Sequence, residues 1–297
     1  MGVMRRLAAR LSARTGEKAG LPERVVYQPP LSLPRIDAAA LRTPGDLAVH
    51  VEPPDAQRFT TRPGPIFHDD PDGAGLLKDA GPLTLPSPPP FTIRARDLVQ
   101  IGSRSYVTRD GRWFGDDAYL QDGEFGRYAA HLMAGDDFQN EYLGLSPGPG
   151  ENNFRLGDRD RPLRRLRGPV VSLASLEGHN YGAFIFRVMP KLAARDGWPP
   201  DATVLAPSMT RSMADLLSLA GVPAKRIEMQ RPGLAYALEH AVIPSNRTTH
   251  GLLDDPARAV FAGLRERYGV PRAGRRLYVS RRGWGPGGRA PRPMLNE

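Results

Sequence analysis

Residues 168–206 have the sequence GPVVSLASLEGHNYGAFIFRVMPKLAARDGWPPDATVLA, and this stretch decides the fold class. Val170–Leu173 is a short apolar run with the length of a buried strand, and Thr203–Leu205 is a second one. Between them, Tyr181–Arg195 carries apolar residues at helical spacing. A strand, a helix and a strand in this order predict two parallel strands joined by a crossover helix.

The same alternation continues towards the end of the chain. Further helices are predicted at Met209–Ala220 and Asp254–Tyr268, and further strands at Ile227–Met229, Ala241–Ile243 and Arg276–Ser280. Repeated strand–helix units are typical of an α/β protein with a parallel sheet and covering helices. We therefore expect an α/β fold with a Rossmann-like lobe over residues 168–272.

The sequence before this lobe has a different character. Residues 1–90 are rich in proline, which denies a chain helices and ladder hydrogen bonds, and we expect this region to be loosely ordered. In residues 91–167, Asp110-Gly111 separates two apolar pairs and predicts a tight β-hairpin. Residues 273–297 follow the lobe and form the fourth expected region.

Composition excludes several classes of protein. The chain has 297 residues, a formal net charge of +9 and no cysteine, so a disulfide framework and a thiolate metal site are excluded. It contains no apolar run long enough to cross a bilayer. A basic chain can bind nucleic acid, but no nucleic-acid motif accompanies the arginines, and we expect no nucleic-acid partner.

The first residues predict a short basic amphipathic helix. For residues 1–14 the two readings are a frayed terminus and a weak contact with a membrane surface. We expect a cytoplasmic protein, with the inner face of the membrane as the alternative location.

Two groups of residues have the chemistry of a ligand site. His179 falls where a strand meets a helix, next to the cleft in which such sheets bind ligands, although a plain helix-start residue is an equal reading. Arg281, Arg282 and Arg292 follow the last predicted strand in a glycine-rich segment, where they could bind a diphosphate. Paired acidic residues lie beside glycine or proline and are read as turns, so we expect neither a metal nor another cofactor.

Residues 179–192 (HNYGAFIFRVMPKL) and 276–297 together resemble the two signature blocks of the family-61 glycosyltransferases. In that family the first block reads Asn-Tyr-Gly-His-Phe-Leu-x-Asp/Glu-x-Leu-Pro-Arg-Leu. The second runs from Tyr-Ile-Ser-Arg-Arg into Arg-x-x-Asn-Glu. The matching positions are Asn180, Tyr181, Gly182, Phe184, Pro190, Leu192, Tyr278, Ser280, Arg281, Asn296 and Glu297, and Arg292 matches approximately.

The resemblance implies a two-lobed GT-B fold and metal-independent transfer of a sugar from a nucleotide-activated donor to a capsular or surface polysaccharide. The resemblance also implies residues that would bind the donor or the substrate. Together with Arg282, which lies beside the matching positions, they are Asn180, Tyr181, Ser280, Arg281, Arg282, Arg292, Asn296 and Glu297. In the family the second block opens most of the donor lobe. Because the sequence stops at Glu297, we expect a donor lobe that is truncated.

Two positions depart from the family pattern. Ala183 stands where the family has a histidine, and Arg187 stands where it has an acidic residue. Alanine cannot accept a proton and arginine stays protonated, which leaves His179 as the candidate catalytic base. Two functions therefore remain open. One is a transferase of weak or absent activity, and the other is a non-catalytic remnant that binds carbohydrate or a partner.

Overall fold

A large mixed sheet organises the chain. The computed structural model describes residues 18–35, 41–52, 57–61, 83–87, 89–115, 145–148, 153–156, 161–175, 178–249 and 252–269. The strands are β1 (Arg24–Tyr27), β2 (Leu47–Val51), β3 (Gln57–Thr61), β4 (Leu83–Ser87), β5 (Phe91–Ile101), β6 (Ser105–Val107), β7 (Arg112–Phe114), β8 (Leu145–Pro147), β9 (Asn153–Leu156), β10 (Leu163–Ser172), β11 (Thr203–Ala206), β12 (Ile227–Met229), β13 (Ala235–Pro244), β14 (Thr248–Thr249) and β15 (Leu252–Leu253). Within this part of the chain, eleven strands form one sheet in the order β12-β11-β10-β13-β5-β6-β7-β1-β9-β8, with β2 also paired to β5.

The four strands β10, β11, β12 and β13 run parallel, as the strand–helix alternation predicts. β10 pairs in parallel with β11 on one side and with β13 on the other, and β11 pairs in parallel with β12. The α/β class is confirmed. β10 begins at Leu163 and β13 pairs antiparallel with β5, so one sheet spans the boundary expected at residue 168, with a shift of register in β10 between Leu166 and Pro169.

Three helical elements pack on one face of these parallel strands. The first runs from Tyr181–Ala183 (α) through Phe184–Val188 (π) to Met189–Gly197 (3-10), and we call it the helical segment 181–197. The others are α1 (Arg211–Leu219), which begins two residues after the predicted start, and α2 (Asp255–Tyr268), which is capped by Asp254. Their apolar residues share one buried cluster with strand residues Val171, Val204 and Val242. Burial of these apolar side chains is what holds the helices to the sheet.

Within the described part of the chain, the opposite face packs against side chains from the rest of the sheet. Val170, Leu205 and Ile243 point to this side and share a cluster with Phe91 and Ile93 of β5. Because β5 pairs with β13 along its length and also with β2 and β6, it connects the parallel strands to the remainder of the sheet. The hairpin β6–β7 forms as predicted, and Gly111 supplies its positive φ of 87°.

Residues 24–27 and 47–51 differ from the expectation of a loosely ordered N-terminal region. β1 lies between β7 and β9, and β2 pairs with β5. Val25 and Val49 are almost fully buried. The prolines of this region flank the two strands and do not interrupt them, so no ladder hydrogen bond is lost.

Candidate functional site

The parallel strands reverse their order between β10 and β13. From β10 the chain moves outward through β11 to β12, and then returns to place β13 on the other side of β10. In open parallel sheets, ligands bind outside the carboxyl ends of the strands at such a reversal. We call the residues that follow the two strands here the switch-point edge: 173–175 and 178–180 after β10, and 245–247 after β13.

The predicted residues of the first block lie together at this edge. His179, Asn180 and Tyr181 are all exposed, and they occupy the turn between the end of β10 and the start of the helical segment 181–197. The side-chain oxygen of Asn180 accepts a hydrogen bond from the backbone N–H of Gly182 at 2.9 Å. Asn180 therefore acts as the N-cap of this helical segment.

The two positions that depart from the family pattern lie just beyond this turn. Ala183 ends the first helical turn, and Arg187 lies in the π-helical part, Phe184–Val188. Both side chains are partly exposed, while Phe184 and Val188 are buried against the sheet. π-helical turns are rare and occur often at functional sites, because they shift the side chains that follow. The unusual backbone thus falls inside the block that carries the resemblance.

A buried lysine that is not among the predicted site residues lies under the switch-point edge. Lys191 is fully buried, and its Nζ donates a hydrogen bond at 2.7 Å to the carbonyl oxygen of Ala174, just after β10. A buried ammonium group is costly unless it is hydrogen-bonded, so this bond fixes the helical segment to the edge. The sequence feature that could have pointed to Lys191 is its position between Pro190 and Leu192, where the family that the block resembles has arginine.

A second buried charge follows β13 and was also missed. Arg247 is 5% exposed and donates from Nη1 to Oδ2 of Asp254 at 2.8 Å, and from Nη2 to the carboxylate of Glu52. The other oxygen of Asp254 accepts from the N–H of Ala257 at 2.7 Å and caps α2. This three-residue cluster ties the end of β13 to α2 and to the residue after β2.

The remaining predicted binding residues cannot be placed. Ser280, Arg281, Arg282, Arg292, Asn296 and Glu297 lie outside the described residues. Within the residues that are described, no group of three or more histidine, aspartate or glutamate side chains could hold a metal ion. In that same part of the chain, every helix is too short or too polar to span a bilayer.

The chain matches no protein-family model, no curated protein and no solved structure. Its sheet and helices define an α/β protein with a mixed sheet.

Proposed function

We propose that the chain is a glycosyltransferase-like protein of the family-61 type, in which the switch-point edge receives a sugar-containing ligand. The observation that carries the proposal is the position of His179, Asn180 and Tyr181. These residues of the resembling block lie exposed at the carboxyl end of β10, beside the strand at which the sheet order reverses. The π-helical turn that follows them adds support. The ligands would be a nucleotide-activated sugar and a polysaccharide acceptor.

Transfer at this edge would be weak. A sugar transfer with inversion needs a base that takes the proton of the acceptor hydroxyl as the new glycosidic bond forms. Ala183 has no such group and Arg187 has no free lone pair to accept the proton. His179 is exposed at the edge and is the base that we assign.

Binding without transfer is the second candidate function, and one observation favours it. The side chain of Asn180, a matching residue of the block, is already used as a helix cap. A polar group that is committed to the backbone contributes less to a reacting ligand, whereas the neighbouring exposed Tyr181 can still bind one.

Turnover and binding assays test the proposal together. The full chain is tested against a panel of nucleotide sugars and oligosaccharide acceptors, with isothermal titration of nucleoside diphosphates in parallel. If there is turnover, His179→Ala should lower it by ~10²–10⁴. The matched control is His240→Ala, which changes a partly buried histidine in β13 away from the edge and should leave turnover unchanged.

Two outcomes would contradict the proposal. Fast transfer that survives His179→Ala would show that the base is elsewhere. If the chain neither binds a nucleoside diphosphate nor turns over any sugar donor, both proposed functions, transfer and binding without transfer, would be ruled out.

A further inference from the structure

A groove whose lining does not include His179, Asn180 or Tyr181 lies where the helical cover of the sheet ends. It has a volume of about 690 Å³ and lies between strands β2 and β5 and the last residues of the helical segment 181–197. We call it the basic groove. The lining residues that matter here are Arg35, His50, Thr92, Arg94, Asp196 and Trp198. Its volume is within the range of small-molecule sites, about 300–1,000 Å³.

The polar floor of the groove follows from strand register. Arg94 lies beside Ala48 on one side and Val242 on the other, and Thr92 lies beside His50. Since Val242 packs under the helices, Arg94 and Thr92 point to the same, helix-bearing face. At β2 and β5 this face is left open to form the groove.

Arg94 is held in place and still has donors to offer. One Nη2–H donates to the carbonyl oxygen of Gly197 at 2.9 Å, which anchors the guanidinium to the groove wall. Arginine carries five N–H donors, and among the described residues no other acceptor engages this one. A positioned guanidinium with free N–H groups suits bidentate recognition of a carboxylate or phosphate.

Two arginines of the groove have no ion-pair partner among the described residues. Glu52 also lines the groove, but its carboxylate accepts from Arg247, whose guanidinium is shared with Asp254. Neither Arg35 nor Arg94 forms an ion pair within the described part of the chain, and the other carboxylate among the described lining residues is that of Asp196. A ligand with one anionic group would pair with these two guanidinium groups.

Asp196 narrows the class of that ligand. A ligand that is anionic throughout, such as a nucleic acid, would be repelled by this carboxylate. A ligand that joins one anionic group to several hydroxyl groups fits better, because Asp196 and Thr92 can accept hydrogen bonds from hydroxyls. The indole of Trp198 supplies an apolar wall for the ring.

We propose that the basic groove binds an acidic sugar, with Arg35 and Arg94 on its carboxylate or phosphate group and Asp196 and Thr92 on its hydroxyls. The site goes beyond the function proposed for the switch-point edge and does not use His179. A carboxylate group and a phosphate group would both bind the two arginines in this way. The probes therefore include one sugar with a carboxylate and one with a phosphate.

Isothermal titration of the full chain tests the groove with four probes. These are galacturonate, glucose 1-phosphate, the neutral maltotetraose and inorganic phosphate. We expect one of the two acidic sugars to bind, with an affinity that falls as salt is added. Arg35→Gln and Arg94→Gln should each weaken that binding by about tenfold or more. The matched control, Arg211→Gln, removes an exposed arginine on α1 and should change nothing.

Several results would overturn the proposal. They are no binding of either acidic sugar, equal binding of maltotetraose or of inorganic phosphate, and binding that neither arginine substitution weakens. Arg35 is exposed, so Arg35→Gln remains informative if Arg94→Gln lowers the stability of the fold, which circular dichroism and thermal melting would show. His179→Ala should leave groove binding intact, so failure here is distinguishable from failure at the switch-point edge.

Discussion

The two halves of the main sheet are stabilised in different ways. In the parallel half, β10 to β13, three helical elements cover one face and leave the carboxyl ends of the strands accessible. In the mixed half, β1 and β5 to β9, aromatic rings pack on one another, with Trp113 at 5.3 Å from Tyr27 and 4.9 Å from Phe154 between ring centroids. The mixed half thus supplies a rigid base, and the parallel half presents loops at which a ligand can bind.

The largest effect is expected from removing the central ring of the mixed half. Trp113 and Phe184 are both fully buried, one in each half. Trp113→Ala should cost about 3–5 kcal/mol in the free energy of unfolding, and Phe184→Ala about as much. Because β5 pairs with β13 along its length, we expect one urea transition for both halves. Separate transitions by circular dichroism and fluorescence would show that the halves unfold independently.

The next effect concerns the buried cluster that closes the parallel half. Arg247→Met leaves the carboxylates of Asp254 and Glu52 without their shared cation and should cost about 3–5 kcal/mol. Adding Glu52→Gln to this variant should recover part of the loss, as measured by urea unfolding. The control is Arg258→Met, which breaks an exposed pair with Asp255 and should cost less than about 1 kcal/mol. Equal losses in the two single variants would contradict the role of burial.

A pH effect of similar size should come from β13. Burial, with a smaller contribution from Glu228, raises the pKa of Tyr236 from 10.0 to about 12. Ionisation of Tyr236 is therefore disfavoured in the folded state. The contribution of this residue to the free energy of unfolding is fully present below pH 10 and is lost as the pH rises towards 12, by roughly 3 kcal/mol in all. Urea unfolding at pH 9, 10 and 11 should show this decline, and Tyr236→Phe should flatten it. An unchanged slope in the phenylalanine variant would assign the decline to other groups.

The smallest effects come from one glycine in each half, and they have opposite signs. Gly111 has a φ of 87°, and an added Cβ would lie 3.2 Å from the carbonyl oxygen of Arg24. Gly111→Ala should therefore cost about 1–2 kcal/mol. Gly263 lies inside α2 with nothing near an added Cβ, so Gly263→Ala should stabilise by about 0.5–1 kcal/mol. If the melting temperatures of Gly111→Ala and Gly263→Ala both rise or both fall, the expected difference in sign between the two glycines would be wrong.

The parallel half was largely predictable from the sequence because its signals are local. The apolar run of β11, the spacing of α1 and the Asp254 cap of α2 can each be recognised within a few neighbouring residues. The position of His179 and Asn180 at the edge follows from the same strand–helix boundary. The π-helical turn could not be predicted, because no residue type specifies it.

In the mixed half the hairpin β6–β7 was predicted, but β1 and the buried charges were missed because their causes are not local. β1 is short and lies among prolines, and it is a strand only because β7 and β9 lie on either side of it. Arg247 looks like an ordinary loop residue in the sequence, since its partner Glu52 is 195 positions away. Lys191 likewise gives no sign of burial until the helical segment is packed on the sheet.

Strand β5 pairs with β13, which is synthesised much later, and this delays completion of the sheet during synthesis. Phe91 at the start of β5 is joined to Ser245, just after β13, across 154 positions of the chain. At about 5–20 residues per second, the ribosome needs roughly 8–30 s to make the intervening segment. Until β13 has been synthesised, the edge of β5 that pairs with β13 in the folded protein stays unpaired. Unpaired strand edges promote aggregation. The sheet is thus completed only once its last strand leaves the ribosome, and chaperones would matter most during this interval.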